Sequence, residues 1–324
     1  MKRPAWLPAI VLWLFIMPNP LAAQTPLAGH QLDISPFIDG DNADYGVAWK
    51  KFREDLQSNL NRQMPEAKIT VRLSAKQRSA SQQLAALASG TTPEVFALSC
   101  GNTATALLNP SWFHYRTSFV LCDAHHQPLM YRPLFIATRD QAFSSWLDGC
   151  RTLTQLAAEL DSHKNLLFGL GDPNSLSSYR VPMLVMADGC HRWNTIRCGG
   201  QNDLINKVVS GQISAACVAD DVLRLSGNWD KVRVIRIVGD GVNPLFTGAF
   251  PAISYGWRTD LPPQIQNCIS NTFAHHNWGR DRAFRKIYTQ IKGVPVGGIV
   301  KIDSAERLWN AVIQIQQLPL KLVQ

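Results

Sequence analysis

The stretch GDPNSLSSYRVP, Gly171 to Pro182, follows an apolar run, NLLFGLGD, and precedes a second apolar run. The first run predicts a buried strand, and the serine-rich stretch predicts the start of a helix. In an open α/β sheet, ligands bind beyond the carboxyl ends of the strands, where helix N-termini point. The unpaired N–H groups of a first helical turn, together with serine hydroxyls, favour an anion. The stretch therefore predicts an oxyanion site, and an ordinary helix cap with a loop is the alternative.

Pro182 constrains where this helix begins. If Ser178 is the cap, Pro182 falls at the end of the first turn and removes one backbone hydrogen bond. If Ser175 is the cap, Pro182 lies in the helix interior and should kink it. We expect the later start, with Ser178 as the cap.

Two parts of the chain repeat one pattern of helix, turn and apolar strand. LAALASG precedes TTPEVFALS, and INKVVSG precedes QISAACVA. Neither strand alternates with polar residues, which is typical of a parallel strand covered on both faces. The pattern predicts an α/β protein with two lobes of similar plan, each a mostly parallel sheet with flanking helices.

The chain is predicted to cross between the lobes twice. Residues 128–140 form an extended apolar stretch suited to the first crossing, and residues 250–263 are suited to the return. We expect residues 24–136 and 249–324 to form lobe one, and residues 137–248 to form lobe two. A hinge of two crossings over a cleft is suited to closing on a ligand.

The N-terminus has the pattern of a secretory signal. Lys2 and Arg3 precede an unbroken apolar run over residues 9–17, and the small residues Ala22 and Ala23 follow it. We expect residues 1–23 to be cleaved and the protein to be exported. A retained membrane anchor is the alternative, but the run is shorter than the ~20 residues that span a bilayer.

The net charge of the chain limits the classes of ligand and partner that it is expected to bind. The formal net charge is +8, and 17% of the residues are charged. A positive balance suits a small anionic ligand or an acidic partner surface. Because no basic run is long enough to follow a phosphate backbone, we expect no nucleic-acid partner.

The chain has seven cysteines, all in the part predicted to be exported, where disulfides persist. Cys190 and Cys198 flank a short loop and are the first predicted pair; Cys100 and Cys122 are the second. There is no C-x-x-C motif and no zinc-type spacing of cysteine and histidine, so we expect no metal site and no cofactor.

The serine stretch resembles the signature of the periplasmic phosphonate-binding proteins of ABC importers, which reads GDPNSTSG followed by an aromatic residue, two residues and a proline. Residues 199–218, GGQNDLINKVVSGQISAACV, are similar to a helix, turn and strand of the same family. The resemblance implies a type II periplasmic binding fold that holds an oxyanion at the helix start. Leu176, Ser178 and Gln201 stand where that family has threonine, glycine and histidine.

The resemblance also implies roles for individual residues. Ser175 and Ser177 would donate to the ligand, with Leu176, Ser178 and Tyr179 beside them. Gln201 would approach from the next helix.

Strand ends supply the remaining candidates. Asp220 or Asp221 follows the strand ISAACVA and is predicted to meet a positive group on the ligand or to latch the lobes, with a helix cap as the alternative. In lobe one, Ser99 and Asn102 follow the strand EVFALS, and Ser79 or Ser81 begins the preceding helix. The predicted ligand-binding set is Ser175, Leu176, Ser177, Ser178, Tyr179, Gln201, Asp220, Ser99 and Asn102.

These features predict a periplasmic solute-binding protein that captures a small oxyanion-bearing ligand, such as a phosphonate or phosphate ester, for an ABC permease. A sensor that docks on a membrane kinase or other receptor needs the same closing cleft and is the alternative. We expect no enzyme, because no G-x-S-x-G elbow and no phosphate-binding loop occur. The pairs His125–His126 and His275–His276 are expected in surface loops, and a metal held across the hinge is the alternative reading of them.

Overall fold

The structure is a computed structural model that describes residues 29–36, 44–74, 80–110, 114–237, 243–246 and 248–318. The predicted signal peptide, residues 1–23, lies outside the described residues, as does Ser79. Within the described ranges, no helix combines the length and the apolar character needed to cross a bilayer.

Strands and helices alternate along most of the chain. The strands are β1 (Gln31–Ser35), β2 (Thr70–Leu73), β3 (Val95–Ser99), β4 (Tyr115–Asp123), β5 (Met130–Tyr131), β6 (Pro133–Thr138), β7 (Leu167–Leu170), β8 (Asn194–Arg197), β9 (Ala215–Ala219), β10 (Val232–Ile235), β11 (Phe250–Pro251), β12 (Ile253–Arg258) and β13 (Val296–Lys301). The helices are α1 (Asp44–Gln63), α2 (Ala80–Ala88), α3 (Cys100–Leu108), α4 (Ser144–Leu147), α5 (Leu153–Ser162), α6 (Val181–Asp188), α7 (Gln201–Val209), α8 (Asp220–Leu225), α9 (Pro263–His275), α10 (Arg282–Lys292) and α11 (Ala305–Gln317).

The strands form two large sheets and a small hinge sheet. The first sheet has the order β13-β4-β12-β3-β1-β2, and the second has the order β10-β6-β9-β7-β8. Between them, β5 pairs antiparallel with β11, so Tyr131 lies opposite Phe250. The chain therefore passes from one lobe to the other twice, at the two stretches that the sequence predicts. The predicted lobe boundaries at 136/137 and 248/249 stay a prediction.

Both sheets are mixed, and the expectation of mostly parallel sheets is wrong in this respect. Strand β12 runs antiparallel to β3, and β6 runs antiparallel to β9. The hinge explains the direction. Ile253, the first residue of β12, lies opposite Ser99, the last residue of β3, and Pro133 of β6 lies opposite Ala219 in the same way. A strand that leaves the hinge must run against strands that end there.

The core of the first lobe is aromatic. Helix α1 places Trp49, Phe52 and Leu56 on one buried face, as its 3.6-residue period requires. Trp49 lies at the centre, with its ring 5.2 Å from that of Phe52, and its indole nitrogen donates to the Tyr288 hydroxyl at 2.8 Å. Val47 is 57% exposed because it lies on the opposite side of the helix.

Helix α11 packs between the two lobes. Ser304 caps it, accepting a hydrogen bond from the Arg307 N–H at 3.2 Å. Its buried face joins one apolar cluster with residues of α3 and of the serine stretch. The cluster includes Cys100, Ala104, Leu176, Tyr179, Trp309, Val312 and Ile315. Helix α11 therefore packs against both lobes.

The two predicted disulfides do not form, because all seven cysteines are free thiols. Cys190 and Cys198 lie on either side of β8, an extended strand of four residues that pairs with β7. Such a strand spans roughly 13 Å, whereas the Cα atoms of a disulfide lie about 4.4–6.8 Å apart. Cys122 lies on β4, which β12 separates from β3, so it cannot reach Cys100.

His276 is buried, contrary to its expected place in a surface loop. Its ring contacts the carboxylates of Asp55 and Asp281 at 2.6 and 3.3 Å, and its side chain is 0% exposed. The ring is buried because it contacts the Asp281 carboxylate and packs against the aromatic core, including Phe52 and Trp278. Within the described part of the chain, no three histidine, cysteine or acidic residues are grouped so as to hold a metal ion.

Candidate ligand-binding site

The serine stretch contains a π-helical turn, Leu176–Arg180, that continues into α6. Ser175 is its cap, and the Ser175 hydroxyl accepts from the Ser178 N–H at 3.3 Å. The expected later start at Ser178 is therefore wrong. The Arg180 N–H donates to the Ser175 carbonyl at 3.0 Å, which closes the wide first turn.

Pro182 is accommodated because another residue replaces its missing N–H. In an α-helix, the N–H of residue 182 would donate to the carbonyl of Ser178. Here Gly171, which follows β7, donates to that carbonyl at 2.9 Å. The loop between β7 and the turn is thereby fastened to the turn itself.

The turn is covered by the rest of the protein. Leu176, Ser177 and Ser178 are 3%, 2% and 1% exposed. The Ser178 hydroxyl lies against Gly171, where a Cβ atom would come within 2.3 Å of it. Among the described residues, that hydroxyl has no hydrogen-bond partner. A ligand can reach this turn only when the lobes separate.

Helix α3 of the first lobe points its N-terminus at the serine stretch. A Cβ atom on Gly101, in the first turn of α3, would lie 3.1 Å from the Asn174 carbonyl oxygen and 3.6 Å from the Leu176 nitrogen. Ser99 precedes α3 but does not cap it with its side chain. Its hydroxyl is buried and, within the described ranges, also lacks a partner. Two helix starts thus face each other, one from each lobe.

A third helix N-terminus, that of α2 in the first lobe, also lies at the serine stretch. The carboxylate of Asp172 accepts hydrogen bonds from the Ser81 hydroxyl at 2.5 Å and from the Ser81 N–H at 3.2 Å. The Asn174 side-chain amide donates to the same hydroxyl at 2.9 Å. Asp172 and Asn174 lie in the serine stretch, so the lobes are joined by a carboxylate at a helix N-terminus, where an anion is stabilised.

Asn102 supports this arrangement from behind. It is 1% exposed, and its amide donates to the Ala80 carbonyl at 2.8 Å and to the Gln83 side chain at 3.1 Å. These bonds tie the start of α2 to α3. Asn102 therefore orients two helix starts.

Tyr179 is held by an arginine from the edge of the second sheet. The Arg197 guanidinium lies 4.1 Å from the centre of the Tyr179 ring and donates to the Tyr179 hydroxyl at 2.9 Å. It also donates to the Gly171 carbonyl at 3.3 Å. Arg197 thus connects the loop and the turn. No pattern in the sequence predicts these contacts of Arg197.

The structure does not bring Gln201 and Asp220 to the serine turn. The Gln201 side-chain oxygen accepts from the Ala219 N–H at 2.6 Å, at the end of β9. Asp220 accepts from the Arg132 N–H at 2.9 Å, where β5 passes into β6, and pairs with Arg224. These contacts stabilise the hinge side of the second lobe.

Asp221 does connect the lobes. Its carboxylate lies 2.8 Å from the Lys292 ammonium group at the end of α10, and the two side chains are 14% and 13% exposed. Helix α8 belongs to the second lobe, and α10 packs on the first. Asp221 thus forms an ion pair between the lobes, and the predicted role of Asp220 or Asp221 as a latch stays a prediction.

Arg180 ties the serine turn to the end of α11. Its guanidinium donates to the carbonyls of Ile315, Gln316 and Leu318 at 3.1, 2.7 and 2.5 Å. Burial lowers the Arg180 pKa because the charged form loses water. The carbonyls left open at a helix C-terminus are the natural partners of this cation.

The architecture matches known structures, although the sequence does not. No family model and no curated protein matches this chain. Among solved structures, it is similar to the binding-protein component of an ABC phosphonate transporter from Pseudomonas aeruginosa. The TM-score is 0.61 at 16% identity, covering 89% of this chain and 86% of that one.

The fold is that of a two-lobed periplasmic binding protein. A Xanthomonas citri protein solved with bound ATP shares it at a TM-score of 0.58 and 14% identity, covering 89% of this chain and 98% of the other. An R. palustris protein with adipate shares it at a TM-score of 0.53 and 13% identity, covering 90% and 96%. The helix N-termini described above converge in the region between the two lobes of this fold.

Proposed function

We propose that this protein is a periplasmic solute-binding protein that closes on a small oxyanion-bearing ligand between its lobes and delivers it to an ABC permease. The ligand's oxyanion binds at the serine turn, Ser175 to Ser178. Helix starts of the first lobe, at Ser99 and Ser81, close over it.

One observation carries the proposal: the contact between the Asp172 carboxylate and the first turn of α2. It is an oxyanion held by a serine hydroxyl and a backbone N–H, across the gap between the lobes. The same donor types are present in the serine turn. Each lobe also contributes a buried hydroxyl that has no partner among the described residues, Ser99 and Ser178. Buried polar groups are nearly always satisfied, so unpaired hydroxyls beside helix starts favour a bound group.

The chemistry of the site favours an oxyanion over a cation or an apolar ligand. Helix N-termini and hydroxyls supply hydrogen-bond donors and a partial positive charge. The one acidic side chain of the serine stretch, Asp172, is engaged with Ser81, and its one cation, Arg180, is engaged with α11. Phosphonate, ATP and adipate, which appear with the structurally similar proteins above, all carry oxyanions.

Delivery to a membrane permease follows from the fold and from the predicted secretory signal. A protein that opens and closes presents a different surface in each state, which a membrane partner can distinguish. The covered serine turn supports a capture role, because binding then requires the lobes to move. Turnover is not expected, since the sequence carries no G-x-S-x-G elbow and no phosphate-binding loop.

The test is a thermal-shift screen against phosphonates, phosphate esters and dicarboxylates. A ligand at a hundredfold excess over its Kd should stabilise the protein by about 2.7 kcal/mol, with no chemical change in the ligand. The variant Ser175→Ala with Ser177→Ala should lose this stabilisation. The matched control is Ser210→Ala with Ser226→Ala, at the C-terminal ends of α7 and α8. This control variant should keep the stabilisation by the ligand.

Two results would count against the proposal. One is full stabilisation of the Ser175/Ser177 variant, which would place the ligand elsewhere. The other is the absence of any stabilising oxyanion in the screen. Consumption of a ligand would point to an enzyme instead.

A further inference from the structure

Helix α10 presents a basic face on the first lobe, away from the residues of the serine turn. Residues spaced three and four apart lie on one side of a helix. On α10 this side carries Arg282, Arg285, Lys286, Thr289 and Gln290, while Phe284, Ile287 and Tyr288 on the opposite side are buried in the aromatic core.

This basic face lines a groove of about 580 Å³. The opposite wall is formed by His126, in the turn after β4, and by the start of β13. Within this wall, Gly297 allows β13 to lie close to the end of β4, because a Cβ atom there would lie 2.1 Å from the Asp123 carbonyl oxygen. The volume lies in the range of small-molecule sites, about 300–1,000 Å³.

Within the described part of the chain, no ion pair neutralises the positive charge of the basic side chains in the groove. None of the side chains of Arg282, Arg285 and Lys286 makes an ion pair or hydrogen bond there. The Arg285 Nε group is buried and has no partner in the part of the chain that the structure describes. A buried donor without a partner calls for a water molecule or ion, and three neighbouring cations favour an ion of negative charge.

The nearby carboxylates are engaged elsewhere. Asp281 accepts from the Phe284 N–H at 3.1 Å and contacts His276, and it is 4% exposed. Asp123 accepts from the N–H groups of His125 and Gln127 at 2.8 and 2.9 Å. Neither turns toward the three cations, so the groove keeps its positive charge.

We propose that the groove between α10 and the start of β13 is a second binding site, specific for a multiply charged phosphate or carboxylate anion. Arginine guanidinium groups bind both kinds of oxyanion through paired N–H donors. The concave shape favours a small anion over a flat acidic protein surface. The proposal does not depend on the site between the lobes.

The test is calorimetric titration with inorganic pyrophosphate and with citrate at low ionic strength. The groove variant is Arg282→Gln, Arg285→Gln and Lys286→Gln together. The control is Arg192→Gln, Lys231→Gln and Arg236→Gln, which removes the same charge from exposed positions of the second lobe. Circular dichroism checks that both variants fold.

At least one anion should bind the wild type, and the groove variant should bind it at least tenfold more weakly, while the control changes less than twofold. The single variant Lys286→Glu, at an exposed position, should weaken binding in the same direction and guards against misfolding of the triple variant. The proposal is overturned if neither anion binds the wild type, or if the groove variant and the control bind alike.

Discussion

The Asp172 carboxylate of one lobe accepts hydrogen bonds from both the hydroxyl and the backbone N–H of Ser81 in the other lobe. A side chain of the serine stretch therefore occupies the N-terminus of α2. Because Ser177 and Ser178 are covered in this arrangement, it opposes ligand binding. Separation of the lobes must break this contact.

Asp172→Asn should shift the ligand-free protein toward an open form. Loss of a charged acceptor at a partly exposed site weakens the contact by about 1 kcal/mol, which is roughly fivefold in the equilibrium. Small-angle X-ray scattering should show a larger radius of gyration, and ligand association should be faster. Asp188→Asn, at an exposed position of the same lobe, is the control, and an unchanged radius in Asp172→Asn would contradict the role of this contact.

Lys292→Met should destabilise the closed arrangement from the other side of the gap. Asp221 and Lys292 are mostly buried, so the loss should lie between that of an exposed pair and that of a fully buried pair, about 1–2 kcal/mol. Urea unfolding and scattering measure it. Lys207→Met removes a pair within α7 and should cost less than about 0.5 kcal/mol. Equal costs for the two variants would show that the Asp221 pair has no special role.

Gly171→Ala should destabilise the protein by about 1–3 kcal/mol through overpacking, because the new methyl group meets the Ser178 side chain. Combining it with Ser178→Gly removes the atoms in conflict, so Gly171→Ala should cost little in that background. Gly149→Ala, where no atom lies within 4 Å, is the control. A full cost in the double variant would mean that the strain lies elsewhere.

Stability should fall with rising pH in the alkaline range, partly through Cys122. Burial raises the pKa of this thiol to about 11 from 9.0, and the Asp123 carboxylate adds to the effect. Between these values the unfolded chain has released the proton while the folded chain retains it, so the unfolding free energy falls by up to about 1.4 kcal/mol per pH unit. Urea unfolding of the wild type and of Cys122→Ala at about pH 8 and about pH 10 checks this, since the variant lacks this contribution. The exposed Cys190→Ala is the control and should keep the wild-type slope.

The sequence predicts the elements of this fold well, because each strand and helix has a local signature. The strands EVFALS and ISAACVA form where their patterns indicate. The direction of the strands at the hinge could not be predicted from local signatures. It depends on where each strand enters its sheet, and only the folded chain determines the point of entry. The predicted disulfide at Cys190 failed for a similar reason, because the extended strand β8 separates it from Cys198.

The candidate site was predictable in part. The serine stretch and the helix starts at Ser81 and Ser99 were found from strand ends. The cap at Ser175 was missed because Gly171 supplies the donor that Pro182 lacks, a contact outside the helix. The bond between Asp172 and Ser81 joins residues 91 positions apart, and no local pattern encodes it.

The most direct test of the central claim is a crystal structure of the protein with an oxyanion from the thermal-shift screen bound. We predict that oxygens of the ligand lie within about 3.2 Å of N–H or hydroxyl groups in the Ser175–Ser178 turn, with the first lobe in contact on the opposite side. A ligand bound outside the gap, with the serine turn still covered as in the structure described here, would contradict the account.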